Sequence, residues 1–370
     1  MRLPVLPNPT AAPQFDTGPK SISAVRVLRI SVTDRCNFRC VYCMPEDGVP
    51  WLPKDDILSF EEIRQVVRAA IEVHGIRRFK LTGGEPTVRH GIVDLVRMLR
   101  KIDGIEDLSL TTNGMLLEDL AEPLKCAGLD RITVSLDSLQ PQKFKRITRT
   151  GDLATVLRGV HRCEQVGLNS LKINCVTMRG TNDDELADFA RLTLNRKLTV
   201  RFIEYMPLGD AAIQGSGFRV QGSVDASETG PAGGCGAQDR GADAFISETE
   251  VRPIIEDELG PLVPVDRATE AGVGPAIPYR LARGNPLGRV AFISAMSQPF
   301  CSTCNRLRLT ADGTLRSCLF EGGEVDVRSI LRGGVAEIQT ALAQAMTDCV
   351  RLKPDVHSLH GNQQMSRIGG

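Results

Sequence analysis

The sequence predicts an α/β fold: a partial, TIM-type (β/α)6 barrel followed by a C-terminal extension. Three observations predict it. Strand-like and helix-like segments alternate six times between Val25 and Leu208, the pattern of parallel strands joined by crossover helices. A closed eight-unit barrel takes about 250 residues, so this shorter array should stay open. A Gly-, Ser- and Asp-rich stretch, 210–247, then breaks the alternation before a smaller segment begins.

The elements follow in order. Val25–Val32 reads as the first strand. Ser59 is an N-cap, with Glu62 completing a capping box, and Ile63, Val66, Val67, Ala70 and Ile71 repeat at helical spacing towards His74. Strand Arg78–Thr82, helix Ile92–Lys101, strand Leu108–Thr111, helix Leu117–Cys126 and strand Arg131–Leu136 come next. Helix Leu153–Val166 stops at Gly167. Strand Lys172–Met178, helix Asp183–Leu194 and strand Val200–Tyr205 complete the array. The expected organisation is a flexible tail (1–24), the barrel (25–209), a disordered insertion (210–247), a second segment (248–352) and a polar tail (353–370) ending in Gly369-Gly370.

Lys plus Arg (45) equals Asp plus Glu (45), so nothing global favours nucleic acid or an anionic membrane. Any anion site must be a local cluster of cations. No apolar run approaches the roughly 20 residues needed to span a bilayer, and Met1 to Lys20 lacks the apolar core of a secretory signal. The expectation is a soluble cytoplasmic protein. The eleven cysteines are odd in number, which argues against a disulfide framework. Cys126, Cys163, Cys175 and Cys349 lie in apolar-patterned segments and are expected to be buried. Cys235 sits in the Gly-rich stretch as a bystander.

The other six form two triplets. Cys36, Cys40 and Cys43 fall within eight residues, directly after the first strand. Structural zinc takes four ligands, and no fourth Cys or His lies nearby. Three thiolates suit a 4Fe–4S cluster with one iron open to a ligand. A zinc knuckle completed from elsewhere in the chain is the alternative. Gly83-Gly84-Glu85-Pro86 ends the second strand, where glycines allow close backbone approach and Glu85 offers an acceptor for an ammonium group. Alone, this tetrapeptide is an ordinary turn.

Cys301, Cys304 and Cys318 form the second triplet, and a zinc ribbon lacking one ligand is its alternative. Arg306 and Arg308 follow at once. On a strand both would point to one face, as a polyphosphate would require; a solvated surface is the competing reading.

Cys-x3-Cys-x2-Cys with Tyr42 before the last Cys, together with Gly83–Pro86, resembles the radical S-adenosylmethionine (SAM) superfamily. Further stretches, among them Thr111–Gly114, Val134–Leu139, Arg201–Pro207, Cys304–Arg308 and Ser366–Gly370, resemble its GTP 3′,8-cyclase family of molybdenum cofactor biosynthesis. The resemblance runs from about Leu28 to Gly370, apart from the insertion. It implies a radical SAM barrel whose extension carries a second 4Fe–4S cluster. Cys36, Cys40 and Cys43 would hold the SAM cluster; Tyr42, Gly84, Ser135 and Met206 would contact SAM. Arg29, Lys80, Thr111, Lys172, Arg201, Arg306 and Arg308 would contact GTP, and Cys301, Cys304 and Cys318 would hold the second cluster. Lys80 stands where the family commonly has Arg, keeping the charge but losing the fork.

The implied reaction cyclises GTP to 3′,8-cyclo-7,8-dihydro-GTP through a 5′-deoxyadenosyl radical that abstracts H3′. An external electron donor would supply reducing equivalents, and cyclic pyranopterin monophosphate synthase would act downstream. A homodimer is a further family expectation. Gly369 and Gly370 could thread into the site, against the plainer reading of a frayed end. A peptide-modifying radical SAM maturase and a non-catalytic metal-binding scaffold are the competing functions.

Overall fold

The computed structural model describes residues 18–168, 170–206, 208, 244–269, 272–320, 323–357 and 368. Strands β1 (Val27–Ser31), β2 (Arg78–Thr82), β3 (Asp107–Thr112), β4 (Arg131–Ser135), β5 (Leu171–Thr177) and β6 (Leu198–Glu204) lie side by side in chain order, all parallel. Helices α1 (Phe60–Glu72), α2 (Ile92–Arg100), α3 (Leu117–Cys126), α4 (Pro141–Thr148), α5 (Leu153–Gln165) and α6 (Leu186–Asn195) occupy the crossovers. The capping box at Ser59 is formed, each partner bonding the other's backbone N–H.

The parallel run extends past six strands. After α7 (Glu248–Leu259) and the antiparallel edge pair β7 (Leu262–Pro264) and β8 (Ile277–Leu281), strand β9 (Arg289–Ile293) adds parallel to β6. Strand β10 (Arg306–Leu309) adds parallel to β1 at the other edge, with β11 (Thr314–Arg316) and β12 (Val325–Asp326) antiparallel beyond it. The extension therefore flanks the six-unit array on both sides, and the sheet stays open. Helices α8 (Arg328–Arg332) and α9 (Ile338–Arg351) end the described core. Arg332 bonds Glu62 (2.6 Å) and Arg328 bonds Asp56 (2.9 Å), tying α8 to the entry of α1.

The two faces of the sheet differ. Leu28, Ile30, Phe79, Leu81, Leu110 and Ile132 are fully buried against helices, each contributing roughly 1.5–3 kcal/mol. Sheets covered on both faces usually have apolar strands throughout. Here the alternate residues are polar or charged: Arg29, Lys80, Ser109, Thr133, Lys172 and Arg201 line an internal cavity.

Several segment ends are more ordered than expected. Residues 1–17 lie outside the described residues, but Ile22–Ala24 form a turn capped by Ser21, with Ala24 buried. Most of the expected insertion also lies outside them, yet Ile246 joins the core. Lys353 is buried although it opens the expected polar tail. Cys163, Cys175 and Cys349 are buried, as expected, whereas Cys126 is exposed because it ends α3 on the solvent side.

Candidate active site

The first triplet sits in the loop leaving β1. Cys36, Cys40 and Cys43 are half-buried, and all three line the cavity. The amides of Cys43 and Met44 both donate to the Cys40 carbonyl (2.9 and 3.1 Å), which curls the loop. Burial pushes the Cys36 thiol up to about 11 and Cys40 up as well, with Cys43 next in raising Cys40. A bound cation reverses this, since a coordinated thiol is deprotonated outright.

The glycines of Gly83–Pro86 serve this loop directly. Gly84 N donates to Thr33 O and Glu85 N to Arg35 O, both at 2.7 Å. A Cβ on Gly84 would lie 2.4 Å from Arg35 O, so no other residue allows the approach. The close contact is thus with the cysteine loop itself, while Gly84 also lines the cavity. Glu85 is buried, and its carboxylate accepts from Thr87 N (3.0 Å), Thr87 Oγ1 (2.5 Å), Thr112 Oγ1 (2.7 Å) and Asn113 N (2.6 Å). Three of these converge on Oε1, so the lone pair left for an ammonium group is on Oε2.

Tyr42 donates its hydroxyl to Asp137 Oδ2 (2.7 Å), and Asp137 Oδ1 accepts from Val176 N (2.8 Å). Burial raises the Asp137 carboxyl to about 6. Tyr42, Ser135 at the end of β4 and Met206 just beyond β6 all line the cavity. Met206 also packs on the cluster of Leu208, Met296 and Phe320 that Cys318 touches.

The cations form rows. Arg29 on β1 is in register with Lys80 on β2 and with Arg308 on β10. Burial lowers Arg29 most, followed by Arg308, Arg306 and Arg201; burial, then Arg201 and Arg29, lowers Lys80. Arg308 falls to about 9 and Arg201 to about 10, each mainly through burial. Lys80 Nζ and Arg201 both donate to Thr133 Oγ1 (3.1 and 3.2 Å). Like charges opposite one another on a sheet are destabilising, so this arrangement calls for a multivalent anion. Thr111 Oγ1, Asn174 Oδ1 and Arg201 Nε are buried with no hydrogen-bond partner. Such orphaned groups are rare in folded proteins, and these face a cavity sized for a ligand. The residues therefore fit a polyanion such as a polyphosphate.

The second triplet has a different electrostatic character. Cys301 and Cys304 flank a short turn, with Cys304 N donating to Cys301 O (3.1 Å), and Arg306 reaches Cys304 Sγ at 3.7 Å. Burial opposes ionisation of Cys304, but the nearby Arg306 and Lys353 charges bring it down to about 6. This thiol favours the thiolate form, which metal ligation requires.

One cavity of about 310 Å³ joins most of these groups. It is lined by the first triplet, by every expected SAM contact and by every expected GTP contact. The second triplet adjoins it through Arg306, Arg308 and Leu319 and does not itself line it. Gly369 and Gly370 lie outside the described residues; Ile368 before them is buried. Sequence reasoning missed Arg78, Arg131, Asn174 and Arg267, which also line the cavity. The period-two pattern placing Arg78, Lys80 and Thr82 on one face could have found the first.

Two family models match the chain: the radical SAM superfamily over residues 30–193 and Molybdenum Cofactor Synthesis C over 223–359. The GTP 3′,8-cyclase of Pelotomaculum thermopropionicum is 44% identical over 350 residues, covering 94% of this chain and 98% of the relative. The chain belongs to the GTP 3′,8-cyclase family. The cyclase of Moorella thermoacetica is similar to it at 44% identity over 351 residues, with 94% and 98% covered. Streptococcus suis SuiB bound to S-adenosylmethionine shares the fold, with a TM-score of 0.56 at 12% identity, over 88% of this chain and 68% of that one. As a cyclase-family radical SAM enzyme, the chain has two 4Fe–4S clusters and SAM as cofactors. No helix among the described residues is long and apolar enough to cross a membrane.

Proposed function

We propose that the cavity is where GTP is cyclised to 3′,8-cyclo-7,8-dihydro-GTP, an early step of molybdenum cofactor biosynthesis. The observation that carries this reading is one cavity lined both by Cys36, Cys40 and Cys43 and by the cations of β1, β2, β5, β6 and β10. In this reading the first triplet holds the SAM cluster, and Tyr42, Gly84, Ser135 and Met206 seat SAM. When bound, that cluster and SAM together supply the one-electron chemistry needed to break an unactivated C–H bond, which side-chain acids and bases cannot do.

The chain's own residues do the placing. A triphosphate carries about four negative charges, which Arg29, Lys80, Lys172, Arg201, Arg306 and Arg308 offset in a chain of zero net charge. Thr111 donates through its orphaned hydroxyl. Clamping the triphosphate fixes the ribose, and orientation of this kind removes much of the entropic barrier. Cys301, Cys304 and Cys318 hold the second cluster, next to Arg306 and Arg308. The reading also gives Gly369-Gly370 a part in turnover; full turnover after deleting both glycines would overturn that part.

The reading extends to a cytoplasmic homodimer fed by an external electron donor and supplying cyclic pyranopterin monophosphate synthase. Anaerobic incubation with SAM, GTP and dithionite tests the whole. The expected products are 5′-deoxyadenosine and a cyclised guanosine nucleotide; absence of both rejects the assignment. Iron counting separates the alternatives: about eight irons per chain fit two clusters, and four or none contradict them.

A further inference from the structure

Lys353 follows α9 and is 3% exposed. Its Nζ donates to the carbonyls of Cys304 (3.0 Å) and Arg306 (3.2 Å). No carboxylate among the described residues pairs with it. A buried ammonium is strongly unfavourable unless an anion offsets it, and two neutral carbonyls do not supply one. The charged and titratable groups around it are the thiols of Cys304, Cys318 and Cys349 and one like charge, the Arg306 guanidinium, so the sulfurs are the groups that can offset it. Four residues on, the His357 backbone N–H donates to the Cys301 sulfur. The His357 ring lies flat on Phe320 (centroids 4.0 Å apart, 6° between planes), and its Nε2 donates to Ala295 O (2.9 Å). The stretch from Lys353 to His357 therefore straps across the second triplet, touching it at both ends.

We propose that Lys353 is a positioning residue of the second cluster: a fixed buried cation that anchors the Cys304–Arg306 backbone and raises the cluster's reduction potential. One-electron reduction adds one negative charge to the cluster, and a cation held beside it in a low-dielectric setting stabilises that reduced form. Anchoring the Arg306 carbonyl also keeps Arg306 and Arg308 aligned beside Arg29. The inference rests on the reading that Cys301, Cys304 and Cys318 bind a cluster.

The test uses the full-length chain, reconstituted anaerobically, with Cys36, Cys40 and Cys43 all changed to Ala so that only the second cluster is seen. If this background binds no iron and gives no reduced-cluster EPR signal, the ligand reading itself fails. Otherwise Lys353→Met and Lys353→Arg are compared by EPR-monitored titration with dithionite. The expected result is a midpoint shifted to more negative potential in Lys353→Met and restored towards the starting value in Lys353→Arg. Loss of iron in Lys353→Met with retention in Lys353→Arg also supports the charge. An unchanged midpoint in Lys353→Met overturns the inference, as does equal loss of iron from both variants.

Discussion

Arg29 and Arg308 stand side by side on neighbouring parallel strands, though they come from opposite ends of the chain. Lys80 flanks Arg29 on the other side. Three adjacent strands thus each aim a cation into one cavity, an arrangement that favours ligand binding at the expense of the unliganded fold.

Replacing Arg308 with Met should therefore separate binding from stability. Loss of one charge-assisted contact should weaken GTP binding by about 10- to 100-fold. The unliganded protein should not become less thermostable, because removing a like charge offsets the lost contacts. Calorimetric titration and thermal unfolding of the same variant read the two effects. A lower unfolding temperature with unchanged GTP affinity would contradict both.

Gly84→Ala should disrupt the cysteine loop. Its Cβ would lie 2.4 Å from Arg35 O and 2.5 Å from Asp34 O, and backbone has little room to yield. Forced overpacking of this kind destabilises by about 1–3 kcal/mol. Urea unfolding and iron content report it together: lower stability and reduced iron are expected, and wild-type values for both would refute the contact.

The two cysteine triplets should fail differently. Changing Cys36, Cys40 and Cys43 to Ala should remove about half the iron and all SAM cleavage. Changing Cys301, Cys304 and Cys318 to Ala should also remove about half the iron but leave reductive SAM cleavage measurable, with no cyclised nucleotide. SAM cleavage surviving the first change would reverse the assignment.

Glu62 joins the N-terminal and C-terminal parts. A hydrogen bond from Arg332 is the first cause holding its carboxyl below the usual value of 4.5. A depressed folded value means the stabilisation is fully present above the unfolded value and disappears as pH falls through the folded one. Arg332 is 39% exposed, so screening limits the effect to less than about 1 kcal/mol. Glu62→Gln should lower the urea midpoint at neutral pH, and the gap to the parent should close as pH falls through the folded value of the Glu62 carboxyl. A gap that is constant with pH would show that charge plays no part.

Much of the barrel was legible because local patterns were strong. Strand Arg78–Thr82 and helix Leu117–Cys126 have the bounds expected for them. Helix Pro141–Thr148 was not expected, because its sequence, Pro-Gln-Lys-Phe-Lys-Arg-Ile-Thr, offers only Phe144 and Ile147 as a buried stripe. The placement of the flanking strands β9 and β10 was illegible for another reason. Their pairing with β6 and β1 is a long-range choice, and no local period encodes it.

The site shows the same division. The cysteine triplets and the Gly83–Pro86 turn each fall within a short stretch of chain, so they could be read from sequence. Asn174 and Arg131 are ordinary strand residues until the register turns them inward. Lys353 looked like part of a polar tail because its partners are backbone carbonyls, which leave no mark in the sequence.

The central claim is that this cavity holds the C3′ of GTP against SAM. GTP carrying deuterium at C3′ tests it most directly, in anaerobic turnover with SAM and dithionite followed by mass spectrometry of the 5′-deoxyadenosine. The account predicts deuterium in that 5′-deoxyadenosine together with a cyclised nucleotide. Unlabelled 5′-deoxyadenosine formed during turnover of the labelled GTP would contradict it.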